Sequence, residues 1–229
     1  MKFGVKSWKG NVMGNLLLVI GTKSWSSWSL RPWLALKQSG LAFEEQLIEL
    51  RQPDSKAKIL AHSPSGKVPL LKNGALIVWD SLAICEYVAE LACAVPLWPE
   101  NKGARAVARS ISAEMHSGFP GMRQYLSMDA TQSLPLPDLP AEALADVERV
   151  REIWTDCRQR FGAGGPFLFG RWSIADAMYA PVVIRFHSYG VPLDPVCAAY
   201  VEAVLALPAM QEWIDSAKQA ASQTNGRKS

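Results

Sequence analysis

The sequence lacks any apolar run approaching the roughly 18 residues of a membrane span, so no membrane association is expected. Its four cysteines, Cys85, Cys93, Cys157 and Cys197, form neither a CxxC pair nor a Cys/His set with metal spacing. That pattern excludes a zinc module and a disulfide framework, and no metal is expected. Free thiols suit a reducing, cytoplasmic setting. Cys85 and Cys93 fall on one apolar helical stretch and are expected to be buried. Basic clusters are missing too: 24 Lys+Arg against 21 Asp+Glu leave a net charge of +3 that is scattered along the chain. No nucleic-acid partner follows from so mild a balance, and Gly226-Arg227-Lys228 reads as a frayed terminus. Leu16–Ile20 is shorter than a signal-peptide core of about 7–15 residues, and Gly21-Thr22-Lys23 follows in place of a cleavage site. Met1–Val12 reads as an extension, which leaves Met1 and Met13 both open as the start.

What is present suits two domains of about 100 residues each: 229 residues, 49% of them hydrophobic. Leu16–Ile20 has the length of a buried strand. Leu30–Gln38 repeats at helical spacing and stops at Gly40. Phe43–Leu50 reads as a second strand and Ser55–Ala61 as a short helix. Val68–Lys72 and Ala75–Trp79 flank Asn73-Gly74, the dipeptide preferred in a type I′ hairpin turn. Asp80-Ser81 then caps a helix with Leu82, Cys85, Val88, Ala89 and Ala92 on its apolar face. The order βαβ-α-ββα predicts an α/β domain over 14–97, followed by the turn-rich linker Pro96–Asn101.

Beyond the linker no strand is expected. Helices are predicted over Ala104–Tyr125, Ala141–Phe161, Ser173–Phe186, Pro195–Ala206 and Ala209–Ala221, giving an all-α domain over 104–221. The proline-rich stretch Leu134–Pro140 must be a loop, and Ser173-Ile174-Ala175-Asp176 has the spacing of a capping box.

Three segments of the first domain carry the chemistry. Ser24-Trp25-Ser26-Ser27-Trp28-Ser29 joins the first strand to the first helix, Lys67-Val68-Pro69 opens the hairpin, and Asp80-Ser81 opens the third helix. In this order the chain resembles the glutathione transferase superfamily over nearly all of residues 15–220. Ser26–Arg31 is similar to the serine-bearing loop of the zeta class, although Trp28 stands where that loop has a cysteine. Val68-Pro69 resembles the cis-proline element, and Phe167–Gly170 with Ser173–Asp176 the helical-domain signature.

The resemblance implies a thioredoxin-like glutathione-binding domain, a helical-bundle domain lining an electrophile pocket, and a homodimer. It implies Ser26, or its neighbour Ser27, as the hydroxyl that activates the thiol; serines at this place also serve simply as helix caps. Glutathione would be held by the main chain of Val68 beside Pro69, with Asp80 and Ser81 at its γ-glutamyl end and Lys67 at its glycyl carboxylate. Trp28, His116, Phe119 and Arg123 would border the electrophile. Arg31 is expected in a structural ion pair. The implied activity is conjugation of glutathione, as co-substrate, to a small hydrophobic electrophile. Isomerisation of the maleylacetoacetate type, and a non-catalytic binding or scaffold role, are the alternatives.

One hydroxyl is energetically sufficient for this chemistry. A thiol with pKa about 8.5 is only about 3% thiolate at neutral pH. Lowering it by two units takes about 2.7 kcal/mol. A hydrogen bond to a charged group contributes about 1.5–3 kcal/mol, and a helix N-terminus about 0.3–1 kcal/mol.

Overall fold

The computed structural model describes residues 15–225, with the side chains of 224 and 225 left aside. The expected extension, both candidate starts and the basic tail lie outside the described residues.

Four strands form one mixed sheet in the order β2-β1-β3-β4. Strand β1 (Leu16–Gly21) is almost entirely buried and pairs parallel with β2 (Phe43–Ile48) through helix α1 (Ser27–Ser39). Gly40 at φ 72° ends α1, as its position just past the apolar repeat predicts. Helix α2 (Ser55–Leu60) precedes strands β3 (Leu70–Asn73) and β4 (Leu76–Trp79), which pair antiparallel. Helix α3 (Ser81–Leu91) completes the α/β domain.

The helical part comprises α4 (Lys102–Ser117), α5 (Pro120–Tyr125), α6 (Ala141–Phe161), α7 (Ile174–Ser188), α8 (Pro195–Leu205) and α9 (Pro208–Asn225). Helix α7 is buried along nearly its whole length and sits at the centre of this part. One continuous apolar core joins it to α1 and α3. Among the described residues no helix is long and apolar enough to cross a membrane.

The structure corrects four local expectations. The hairpin turn is Gly74-Ala75, since Asn73 pairs with Leu76, and only Gly74 of the two central residues has positive φ. Asn73 is kept in the strand, where its side-chain amide donates to Tyr87 Oη at 2.8 Å. The helix expected over Ala104–Tyr125 is two helices. Pro120 disfavours the α conformation at the residue before it, and Phe119 adopts φ 63°, ψ 46° between α4 and α5. Cys93 is exposed because α3 stops at Leu91; Cys85 is buried as expected. Arg31 is fully buried and has no ion pair or hydrogen bond among the described residues. Asp80, the carboxylate that acts on it electrostatically, caps α3 and meets His116, and the Arg31 guanidinium lies 4.3 Å from the centre of the Trp28 ring.

Candidate active site

Sheet register brings the three sequence segments together. Val19 pairs with Leu70 and Leu70 with Trp79. Continuing that register by one or two residues sets Gly21 level with Val68, and Pro69 level with Asp80. The β1–α1 loop, the Val68-Pro69 peptide, which is cis, and the start of α3 therefore share one end of the sheet. Strand β2 runs parallel to β1 and ends there too, with Leu50 N–H donating to Thr22 Oγ1 at 2.9 Å.

Ser26 is the N-cap of α1 by position, yet its hydroxyl caps no backbone N–H. It donates to Ser29 Oγ at 2.7 Å, and Ser29 Oγ also accepts the Gly21 N–H at 3.0 Å. Gly21 has no room for a side chain: a Cβ would stand 2.6 Å from Leu50 Cδ1 and 3.1 Å from Ser26 Oγ. Ser27 is buried and its hydroxyl makes no hydrogen bond among the described residues.

At the start of α3, Asp80 holds φ 74°, outside the range most side chains favour. Its Oδ1 accepts the N–H groups of Leu82 (2.9 Å) and Ala83 (3.2 Å), so the carboxylate is the helix cap. Its Oδ2 lies 3.1 Å from His116 Nε2 of α4. The adjacent Ser81 hydroxyl is buried and has no partner among the described residues, and neither has the buried His116 Nδ1. A polar atom left unpaired in the interior costs about 1–3 kcal/mol. Two of them beside the positive end of an 11-residue helix mark a place shaped for a polar or anionic group.

Aromatic and cationic groups wall this region. The Trp28 ring, itself partly exposed, meets His116 edge-on at 5.2 Å, and Arg123 lies 5.0 Å from its centre. Burial, reinforced by Arg123, lowers Arg31 to about 9, so it remains a cation at neutral pH. Burial also lowers Arg123. Arg123 spends its donors on the free carbonyls at the end of α4, those of Met115 and Gly118. The sequence places His116 with the electrophile residues; the structure places it on Asp80, at the α3 terminus. Phe119 packs in the core. Lys67 is exposed beside the Val68-Pro69 peptide, with Pro69 buried.

A cleft of about 790 Å³ opens between the two parts of the molecule. The loop Thr22–Trp25 and Leu50–Gln52 line one side; Arg123, Met128, Arg185 and Tyr189 line the other. Arg185 is lowered to about 10 by burial and donates to the Leu126 carbonyl. Arg51 stacks on Trp25 at 3.7 Å, and Lys23 pairs with Glu45 at 2.8 Å. Among the described residues no group of three or more His, Cys, Asp or Glu side chains is placed to hold a metal ion.

Two family models match the chain. The glutathione S-transferase N-terminal domain covers residues 25–91, and the glutathione S-transferase C-terminal domain covers residues 140–216. The probable maleylacetoacetate isomerase of Caenorhabditis elegans is 36% identical over 97 residues, which is 42% of this chain and 44% of that protein. The maleylacetoacetate isomerase of Rattus norvegicus is 28% identical over 196 residues, 82% of this chain and 87% of that one. Among solved structures, a glutathione transferase homolog from Burkholderia with bound glutathione superposes with a TM-score of 0.68 at 24% identity, covering 90% of this chain and 99% of the other. A bacterial maleyl pyruvate isomerase of the zeta class gives 0.67 at 20% identity, covering 86% and 95%. With both domain models matched in order on a mixed four-stranded sheet followed by a helical domain, the chain belongs to the glutathione S-transferase family.

Proposed function

We propose that the protein is a glutathione-dependent enzyme in which Ser26 stabilises the glutathione thiolate for attack on an electrophile held in the interdomain cleft. The observation that carries this reading is the buried, unpartnered Ser81 hydroxyl at the N-terminus of α3. Together with the positive end of the α3 dipole it suits the γ-glutamyl carboxylate of glutathione. Asp80, though it caps α3, still presents a carboxylate to the neighbouring ammonium. The peptide then lies along Val68 and Pro69, whose main-chain groups pair with it as an added strand does. Lys67 faces its glycyl end. This direction delivers the sulfur to the loop that carries Ser26 and Ser27. A hydroxyl hydrogen bond of about 1.5–3 kcal/mol with the field of the α1 N-terminus, about 0.3–1 kcal/mol, meets the requirement for a thiolate at neutral pH without a general base. Family likeness also carries the proposal of a cytoplasmic homodimer, for which sedimentation is the check.

A second reading, glutathione-dependent isomerisation of the maleylacetoacetate type, is favoured by the lining of the cleft. Arg123 and Arg185 face it with no carboxylate bonded to either among the described residues, which suits an anionic acceptor. Trp28, in place of the zeta-class cysteine, weighs the other way. Glutathione turnover against a panel of neutral and carboxylate-bearing electrophiles separates the two, run beside a binding titration without acceptor. Binding with no turnover on any acceptor leaves the scaffold role; no binding overturns the proposal altogether.

A further inference from the structure

We propose that Ser29 is a positioning residue that sets the hydrogen-bond direction of Ser26, through a relay running from the Gly21 N–H to the bound thiolate. The inference rests on the proposed role of Ser26 and deepens it.

Ser29 is fully buried, on the first turn of α1 facing the end of β1. Its oxygen accepts two hydrogen bonds, one from Gly21 N–H at 3.0 Å and one from Ser26 O–H at 2.7 Å. The Ser29 hydroxyl itself donates to no group among the described residues. Without ligand the pair of serines therefore has one buried donor unused, and Ser26 points its proton inward, away from where a thiol arrives.

A thiolate near Ser26 changes which arrangement is best. If the Ser26 proton turns to the sulfur, Ser26 Oγ is left as an acceptor 2.7 Å from the Ser29 oxygen. A slight turn of the Ser29 side chain, which as it stands only accepts from Ser26, then puts its own proton onto it, with the Gly21 N–H still donating to Ser29 from behind. Every donor in the row Gly21 N–H, Ser29 O–H, Ser26 O–H now has an acceptor, and all three dipoles point at the negative charge. No proton changes owner; two hydroxyls rotate. A hydroxyl that accepts a hydrogen bond is itself a stronger donor, and the low dielectric of a buried pair enlarges the effect. Gly21 contributes through its backbone and through lacking a side chain, since a Cβ there would stand 3.1 Å from Ser26 Oγ.

The test is the pH titration of the thiol of bound glutathione, followed by thiolate ultraviolet absorbance at saturating glutathione, for wild type, Ser29→Ala, Ser29→Thr and Ser26→Ala. Ser29→Ala is expected to raise the thiol pKa by about half a unit to one unit, which from a starting value of about 6.5 cuts the thiolate at pH 7 about 1.5- to threefold. Ser29→Thr keeps the hydroxyl and is expected to retain most of the wild-type profile. The double variant Ser26→Ala/Ser29→Ala is expected to match Ser26→Ala alone, because Ser29 acts only through Ser26. Glutathione affinity, measured by calorimetry below the thiol pKa, should stay within about twofold in every single variant, which a general loosening of the loop would not allow. If Ser29→Ala fails to fold, Ser29→Cys, nearly the same size and a weaker donor, replaces it and is expected to shift the titration in the same direction. A wild-type titration in Ser29→Ala beside a shifted one in Ser26→Ala overturns the relay and leaves the role of Ser26 standing. An unshifted titration in Ser26→Ala overturns both.

Discussion

Two helices of this protein begin with the same two residue types, and they use them in opposite ways. At α7, Asp176 accepts the Ser173 N–H (2.8 Å), the Ser173 hydroxyl (3.1 Å) and, on its other oxygen, the Leu168 N–H (3.1 Å). Every polar atom of that cap is consumed inside the fold. At α3, Asp80 caps two N–H groups and meets His116, while Ser81 Oγ beside it is buried with no partner among the described residues. A satisfied cap is a structural joint. One left open in the interior lowers stability unless something fills it. The difference marks α7 as a structural joint of the helical domain and leaves at α3 the open cap on which the proposed binding site rests.

The largest effect expected from this contrast is on stability. Asp176→Ala orphans the N–H groups of Leu168 and Ser173, at about 1–3 kcal/mol each. Chemical denaturation should show a loss of about 3 kcal/mol or more; a loss below 1 kcal/mol breaks the structural half of the comparison.

A pH series examines the same carboxyl. Burial raises Asp176 from 3.8 to about 6. Between those values the native protein holds a proton that the unfolded chain has released, so this group's contribution is full below about pH 4 and is lost as pH rises through 6. The loss is on the order of 3 kcal/mol. Comparing wild type with Asp176→Asn at pH 4 and pH 7 should reveal it, as a stability difference that moves against wild type as pH rises. A difference independent of pH contradicts the assignment.

Arg31 gives a smaller effect of the opposite sign. A buried cation carries a desolvation cost of several kcal/mol, of which stacking on Trp28 returns about 2. Arg31→Met should therefore stabilise the protein by about 1–2 kcal/mol in denaturant unfolding. A clear destabilisation means that the guanidinium is held by more than Trp28. The smallest effect is expected at Asp80→Ala, which removes an exposed cap worth about 1 kcal/mol from thermal stability.

Much of the fold was legible because it rests on local signals. Helix α6 runs from Ala141 to Phe161 as its repeat predicts, with Pro140 before it and Gly162 after. The stop at Gly40 and the cap at Asp80 follow from residue type alone. Errors arose where tertiary contacts decide. Apolar periodicity continues through Gly118 and Phe119, so the break before Pro120 was hidden although the proline itself was in view. Asn73-Gly74 is a good turn dipeptide, but pairing with Leu16 and Leu76 keeps Asn73 in the strand. An ion pair is the ordinary expectation for Arg31, yet which groups surround it depends on packing between the two parts of the molecule. For the same reason the contact of His116 with Asp80, across 36 residues of chain, carried no signal in sequence. Ser29 belongs to the segment Ser24–Ser29, but only the structure tells which hydroxyl faces Gly21 and Ser26.

The most direct test of the contrast between the two caps is a calorimetric titration of glutathione into wild type and Ser81→Ala, with thermal unfolding of both proteins recorded without ligand. The Ser81 hydroxyl has nothing to lose in the fold and a charge-assisted hydrogen bond to lose in the complex, worth about 1.5–3 kcal/mol. The expected result is a dissociation constant raised by about tenfold or more, with an unfolding midpoint equal to that of wild type or higher. Unchanged affinity with a lowered midpoint would show that Ser81 is as structural as Ser173, and the binding site would not lie at α3.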